Sequence, residues 1–153
     1  MALVDMSQQQ YSDEDLAYHE AGHTVVALLL GRNVARVSIV RDDSARGVRV
    51  PSFEEDAPSD PAAARDKALI LLAGAAAQQV RSPGNPRQPD AKDWPRAEAL
   101  VGSESALETQ WARAVALLET PEHWQRVQRI AQALLREHVL DSAQLELLMG
   151  SAP

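Results

Sequence analysis

Residues 17 to 31 read AYHEAGHTVVALLLG, with His19 and His23 four positions apart, Glu20 between them, and an apolar run behind. On an α-helix rising roughly 1.5 Å per residue, the two imidazoles share one face about 6 Å apart along the axis. Two rings so placed can hold one metal ion. Glu20 projects about 100° further round the helix, a poor angle for a ligand and a good one for reaching a water on the metal. Zinc brings the pKa of such a water toward about 7, so a neighbouring carboxylate can take its proton during attack on a carbonyl and pass it to the leaving amine. The competing reading is a core helix whose polar groups satisfy one another. Burying three ionisable groups beside TVVALLL without partners would cost several kcal/mol, and a bound cation is one way to offset it.

A catalytic zinc needs three protein ligands and one open position. The longer pattern H-E-x-x-H-x-x-G-x-x-H is excluded, because Val26 and Leu29 stand at its glycine and third histidine. Glu54, Glu55, Asp90, Asp93, Glu98, His123 and His138 remain as candidates. Asp93, just before WPRA, is equally suited to capping a helix. Chemistry alone leaves the choice open.

The whole chain narrows the function classes. Its 153 residues suit one domain, with residues 1–10 expected to be disordered and 11–150 to form a single unit. The formal charge of -7 disfavours nucleic acid or an anionic lipid surface as partner. Without cysteine, only His, Asp and Glu remain as strong metal ligands. No signal peptide is evident, and the most apolar run, ALILLAGAAA at 68–77, is too short for a membrane span, so a cytoplasmic protein is expected.

Along the chain, Ser12 is the expected N-cap of the first helix, with Tyr11 stapled to Leu16 and Gly31 as its end. VARVSIV (34–40) and RGVRV (46–50) suggest two short strands, the second stopped by Pro51. Asp60 and Pro61 open a buried helix to about Val80, followed by a proline-rich stretch, 82–92, expected to be the most mobile loop. Helices then follow from Asp93, from a capping box at Ser105–Glu108, from Pro121, and from Asp141 with Gln144. Leu107, Trp111, Ala114, Val115 and Leu118 form one packing stripe; Trp124, Val127, Ile130, Ala131, Leu134 and Leu135 form another. The expected fold class is mainly α with a small β-sheet (α+β).

AYHEAGHTVVALLLG, RVSIVRDDSARGVRVPSFEED, ALILLAGAAAQQV and DAKDWPRAEALV together resemble the peptidase domain of FtsH-type zinc metallopeptidases. The resemblance covers most of the chain. It implies a zincin fold with Zn²⁺ on His19, His23 and Asp93, and Glu20 as general base. Trp94 and Ala97 stand at the positions flanking the third ligand, and Asp90 is the fallback. It further implies that a peptide or unfolded protein lies along the edge strand Gly47, Val48, Arg49 and Val50, through main-chain hydrogen bonds. Gly47 would admit the substrate backbone, or serve only as a turn or bulge residue.

Departures accompany the likeness. The family's usual members carry a membrane segment and an ATPase domain, whereas this sequence holds no G-x-x-x-x-G-K loop. A homo-oligomer or a separate ATPase partner is the corresponding expectation. AGAAAQQV also lacks the charged residues typical of that helix. The runner-up function is a non-catalytic peptide-binding or regulatory module that keeps the peptidase fold.

Overall fold

The computed structural model describes residues 12–41, 47–50, 60–83 and 93–150. Residues 1–10, Tyr11, Pro51, Glu54, Glu55, Asp90 and most of the proline-rich stretch lie outside them. Helix α1 spans Asp13–Leu29. It starts where expected: the Ser12 hydroxyl accepts from the Asp15 N–H, and the Asp15 carboxylate accepts from the Ser12 N–H, both at 3.1 Å. Asp13, Glu14 and Asp15 place negative charge on the first turn, where the helix dipole favours it. At the other end Gly31 adopts φ 78°, its N–H bonds Leu28 O at 3.0 Å, and the Arg32 N–H bonds Ala27 O at 2.9 Å. Glycine permits that left-handed stop.

Strands β1 (Arg36–Ser38) and β2 (Gly47–Arg49) pair antiparallel with Val37 opposite Val48. Val50, expected inside the second strand, lies just beyond it and is buried. Helix α2, Pro61–Arg81, opens on Asp60, whose carboxylate accepts from the Ala63 N–H at 2.8 Å. Its residues from Ala68 to Gln78 are buried without a break, because α1 and two later helices, α3 (Asp93–Val101) and α4 (Glu104–Glu119), all pack against it. A helix enclosed on several sides carries no amphipathic stripe.

Helix α5 is Pro121–Glu137 and α6 is Ser142–Met149. The α6 cap is the expected one, with the Asp141 carboxylate accepting from the Gln144 N–H at 2.9 Å. Between them Val139–Asp141 forms β3, a strand not anticipated from the sequence, giving a three-stranded antiparallel sheet in the order β2-β1-β3. Three residues between a helix end and a helix cap are too few for alternation to register.

A second correction concerns α4. Its N-cap is Ser103, accepting from the Ala106 N–H at 3.1 Å, and not Ser105. Gly102 at φ 86° ends α3 and delivers Ser103 already extended, so the cap falls two residues early. In the two stripes Leu107, Ala114, Leu118, Val127, Ile130, Ala131 and Leu134 are fully buried, whereas Leu135 is exposed and Ala133 is buried in its stead. The architecture is therefore mainly helical with a small antiparallel sheet, an α+β fold. No described helix is long and apolar enough to cross a membrane.

Candidate metal centre

Helices α1 and α2 cross at unusually close range, and this crossing builds the site. A Cβ at Gly22 would stand 2.5 Å from Ala73 O and 2.6 Å from Ala77 Cβ, so only a glycine lets the backbones approach this far. The next residue after Ala73, Gly74, makes the complementary space: a Cβ there would lie 2.5 Å from His23 Nε2 and 2.6 Å from His19 Nε2. The imidazoles occupy the hollow that Gly74 leaves.

The rotation of α1 is fixed outside the hollow. The Arg81 guanidinium bonds the carboxylates of Asp15 (2.9 Å) and Glu14 (2.8 Å) and lies 4.7 Å over the Tyr18 ring, which stacks on Trp124 at 5.8 Å. Tyr18 thus faces α5 while the next residue, His19, faces α2.

Each imidazole is held through Nδ1. His19 Nδ1–H donates to Gln78 Oε1 at 2.9 Å, and His23 Nδ1–H donates to the Ile70 carbonyl at 2.7 Å. Ile70, Gly74 and Gln78 are successive fourth residues of α2, so they share the face that α1 meets. A carbonyl can only accept, which leaves both Nε2 atoms turned inward, 3.1 Å apart. Nδ1 anchoring of this kind is what orients metal-binding histidines.

Asp93, expected either as ligand or as N-cap, is the first residue of α3. Its Oδ2 lies 3.5 Å from His23 Nε2, and its Oδ1 lies 3.8 Å from Arg96 Nη1. Glu20 Oε1 lies 4.0 Å from His19 Nε2. His19, Glu20 and His23 offer ligand atoms all within 4.8 Å of one another, a group able to hold a metal ion. A small tetrahedral ion with bonds of about 2.0–2.1 Å separates its donors by about 3.3–3.4 Å. The His19–His23 and His23–Asp93 separations fit that figure and the His19–Glu20 separation exceeds it, although the group within 4.8 Å includes Glu20 and not Asp93, so Asp93 would have to close on the His19 side to complete a three-residue set.

Electrostatics tie the same groups together. Burial acts downward on His23, but the hydrogen bond to Asp93, the charges of Glu20 and Asp93, and the Ile70 carbonyl outweigh it and raise its pKa from 6.5 to about 9. Burial acts upward on Asp93, but the hydrogen bond and charge of His23, with His19 and Arg96 behind them, hold it below the ordinary carboxylate value. In the metal-free chain a proton on His23 Nε2 therefore sits between His19 and Asp93.

The cleft over this cluster measures about 260 Å³ and is lined by His19, Glu20, His23, Gly47, Val48, Val50, Ile70, Leu71, Asp93 and Arg96. Gly47 has φ 108°, and a Cβ there would lie 3.3 Å from Glu20 Oε2, so it brings the start of β2 against the carboxylate. Nothing is described for the Arg49 side chain. Glu98, His123 and His138 do not line the cleft: His123 Nδ1–H donates to Leu117 O at 2.9 Å, and His138 caps α5 with φ 68°. Gln78, Gly74 and Arg96 were not foreseen as site residues.

No family model matches the chain, and neither does any curated protein. The chemistry of the site stands on its geometry.

Proposed function

We propose that the chain is a zinc-dependent metalloendopeptidase, a zincin of the FtsH peptidase type, acting in the cytoplasm on peptides or unfolded protein segments. One observation carries this: two imidazole Nε2 atoms 3.1 Å apart, each ring locked by its Nδ1, with a carboxylate from a separate helix 3.5 Å away. His19, His23 and Asp93 would hold Zn²⁺. The ion supplies a Lewis acid that acidifies water and polarises the scissile carbonyl.

The chain's own groups account for the rest. Glu20 takes the proton of the attacking water and gives it to the amide nitrogen as the C–N bond breaks, leaving a carboxylate and an amine. Gln78 and the Ile70 carbonyl keep both rings aimed inward. Among the described residues strand β2 stands at one end of the sheet order, and an extended peptide backbone would pair along its outer edge, with Val48 and Val50 beside the cleft. Self-association or a separate ATPase partner belongs to the same proposal.

A second reading, a non-catalytic peptide-binding module, draws on the mutual satisfaction of His19, His23 and Asp93 through one proton. Metal content separates the two. Protein purified without chelator should carry one zinc per chain, lost in His23→Ala and weakened in Asp93→Ala. Glu20→Gln should keep the metal and lose hydrolysis. A chain that takes up no zinc after dialysis against it sinks the peptidase and leaves the module.

A further inference from the structure

The cleft has one described cation. Arg96 sits one helical turn after Asp93 on α3, and its guanidinium approaches Asp93 Oδ1 at 3.8 Å, beyond hydrogen-bonding distance. Its side chain is 57 % exposed, against 17 % for Asp93. A guanidinium has five N–H donors in a planar fork suited to a carboxylate, and this loose pair engages few of them.

Charge among the described lining residues sharpens the point. A divalent cation between His19, His23 and Asp93 neutralises the two carboxylates, Asp93 and Glu20, and leaves Arg96 as the unbalanced charge at the mouth. The remaining described lining is Gly47 with the apolar Val48, Val50, Ile70 and Leu71. The chain as a whole carries -7, so an extended polyanion is repelled, while a single negative group beside Arg96 is governed by charges within about 8 Å. Resting on the peptidase reading, we propose that Arg96 is a specificity-determining residue that selects substrates carrying one carboxylate next to an apolar side chain. That carboxylate is either an acidic side chain or a free C-terminus.

Four labelled pentapeptides test this. Each has a central leucine followed by Glu or Gln, and ends in a free acid or an amide. Binding is read by fluorescence anisotropy with the zinc-loaded chain, its Arg96→Ala and Arg96→Glu variants, and the same proteins without metal; cleavage is read separately by mass spectrometry. At least one of the two peptides with a single carboxylate should bind wild type about fivefold or more tightly than the uncharged peptide. Which of the two gains identifies the source. The ratio should fall to about one in Arg96→Ala and invert in Arg96→Glu. Equal binding of all four peptides, no binding of any, or a ratio that survives Arg96→Ala overturns the proposal. Without metal the ratio should fall toward one, because Asp93 and Glu20 then offset Arg96, and an unchanged ratio there overturns the charge argument; a zinc-loaded chain that shows the ratio without cleavage loses the peptidase reading and keeps the role of Arg96.

Discussion

His19 Nδ1–H donates to Gln78 Oε1 at 2.9 Å, while Gln78 Nε2, on a side chain only 3 % exposed, has no partner among the described residues. An unpaired buried amide N–H costs about 1–3 kcal/mol. The cost is explained if the amide's oxygen is what matters. Gln78→Leu should therefore weaken zinc affinity by about 10- to 100-fold while leaving thermal stability unchanged or raised. Gln78→Glu should retain affinity, because it keeps the acceptor. Chelator competition and thermal melts on both variants check this; a Leu variant with native affinity would show that Gln78 does not position His19.

The two glycines of the helix crossing should fail differently. Gly74→Ala drives a methyl group onto two imidazoles, which can move aside only by giving up their Nδ1 hydrogen bonds, so it should abolish metal uptake at a stability cost of about 1–3 kcal/mol. Gly22→Ala drives it onto a helix backbone that cannot yield, so the chain should unfold in much lower denaturant. Denaturant midpoints beside metal content distinguish the two; a metal-binding, native-like Gly74→Ala chain would contradict the described packing.

The raised pKa of His23 fixes a pH dependence for the metal-free protein. Because its folded value of about 9 exceeds the ordinary 6.5, the stabilisation is complete below pH 6.5 and is lost as pH rises through 9. Asp93 works oppositely: its stabilisation is present above the ordinary carboxylate value and is lost as pH falls through the lowered one. Urea unfolding with chelator present should thus show stability falling by a few kcal/mol between pH 6.5 and 9. With zinc in place of the proton the decline should vanish. A metal-free chain whose stability rises across that window would refute the His23–Asp93 coupling.

Gly47→Ala places a methyl group 3.3 Å from Glu20 Oε2 at a φ of 108° that side chains rarely adopt. The strain should cost about 1–2 kcal/mol, and displacement of Glu20 should cut peptide turnover at least tenfold with zinc content unchanged. Paired measurement of turnover and metal content decides it, and turnover equal to wild type would remove Gly47 from the catalytic wall.

Local chemistry was the legible part of this chain. Ser12, Gly31, Asp60 and Asp141 mark helix ends through groups a few residues away, and His19 with His23 needs only the helical period. The partners of those histidines lie on another helix. Gly74 and Gln78 carried a trace of themselves, a glycine and an amide at fourth-residue spacing in a helix otherwise buried and apolar, which calls for a reason that composition does not supply. The Ile70 carbonyl carried none, since any residue provides one. Asp93 stood among several candidate ligands, equally suited to capping, and only the resemblance singled it out; the structure begins α3 with it and sets its carboxylate 3.5 Å from His23 Nε2.

The sheet joins Arg36 to Asp141 and Ser38 to Val139, across well over half of the chain, while β2 on the opposite side of β1 borders the cleft. Such pairings close slowly, because loop entropy must be met before they contribute. On a ribosome, β1 can pair with β2 early but waits for β3 on its other side, so the three-stranded sheet should be completed only after α5 has been made. If β2 is the edge that receives peptide, as proposed, the sheet that supports it is still unfinished while the protein's own unfolded chain is the nearest available peptide.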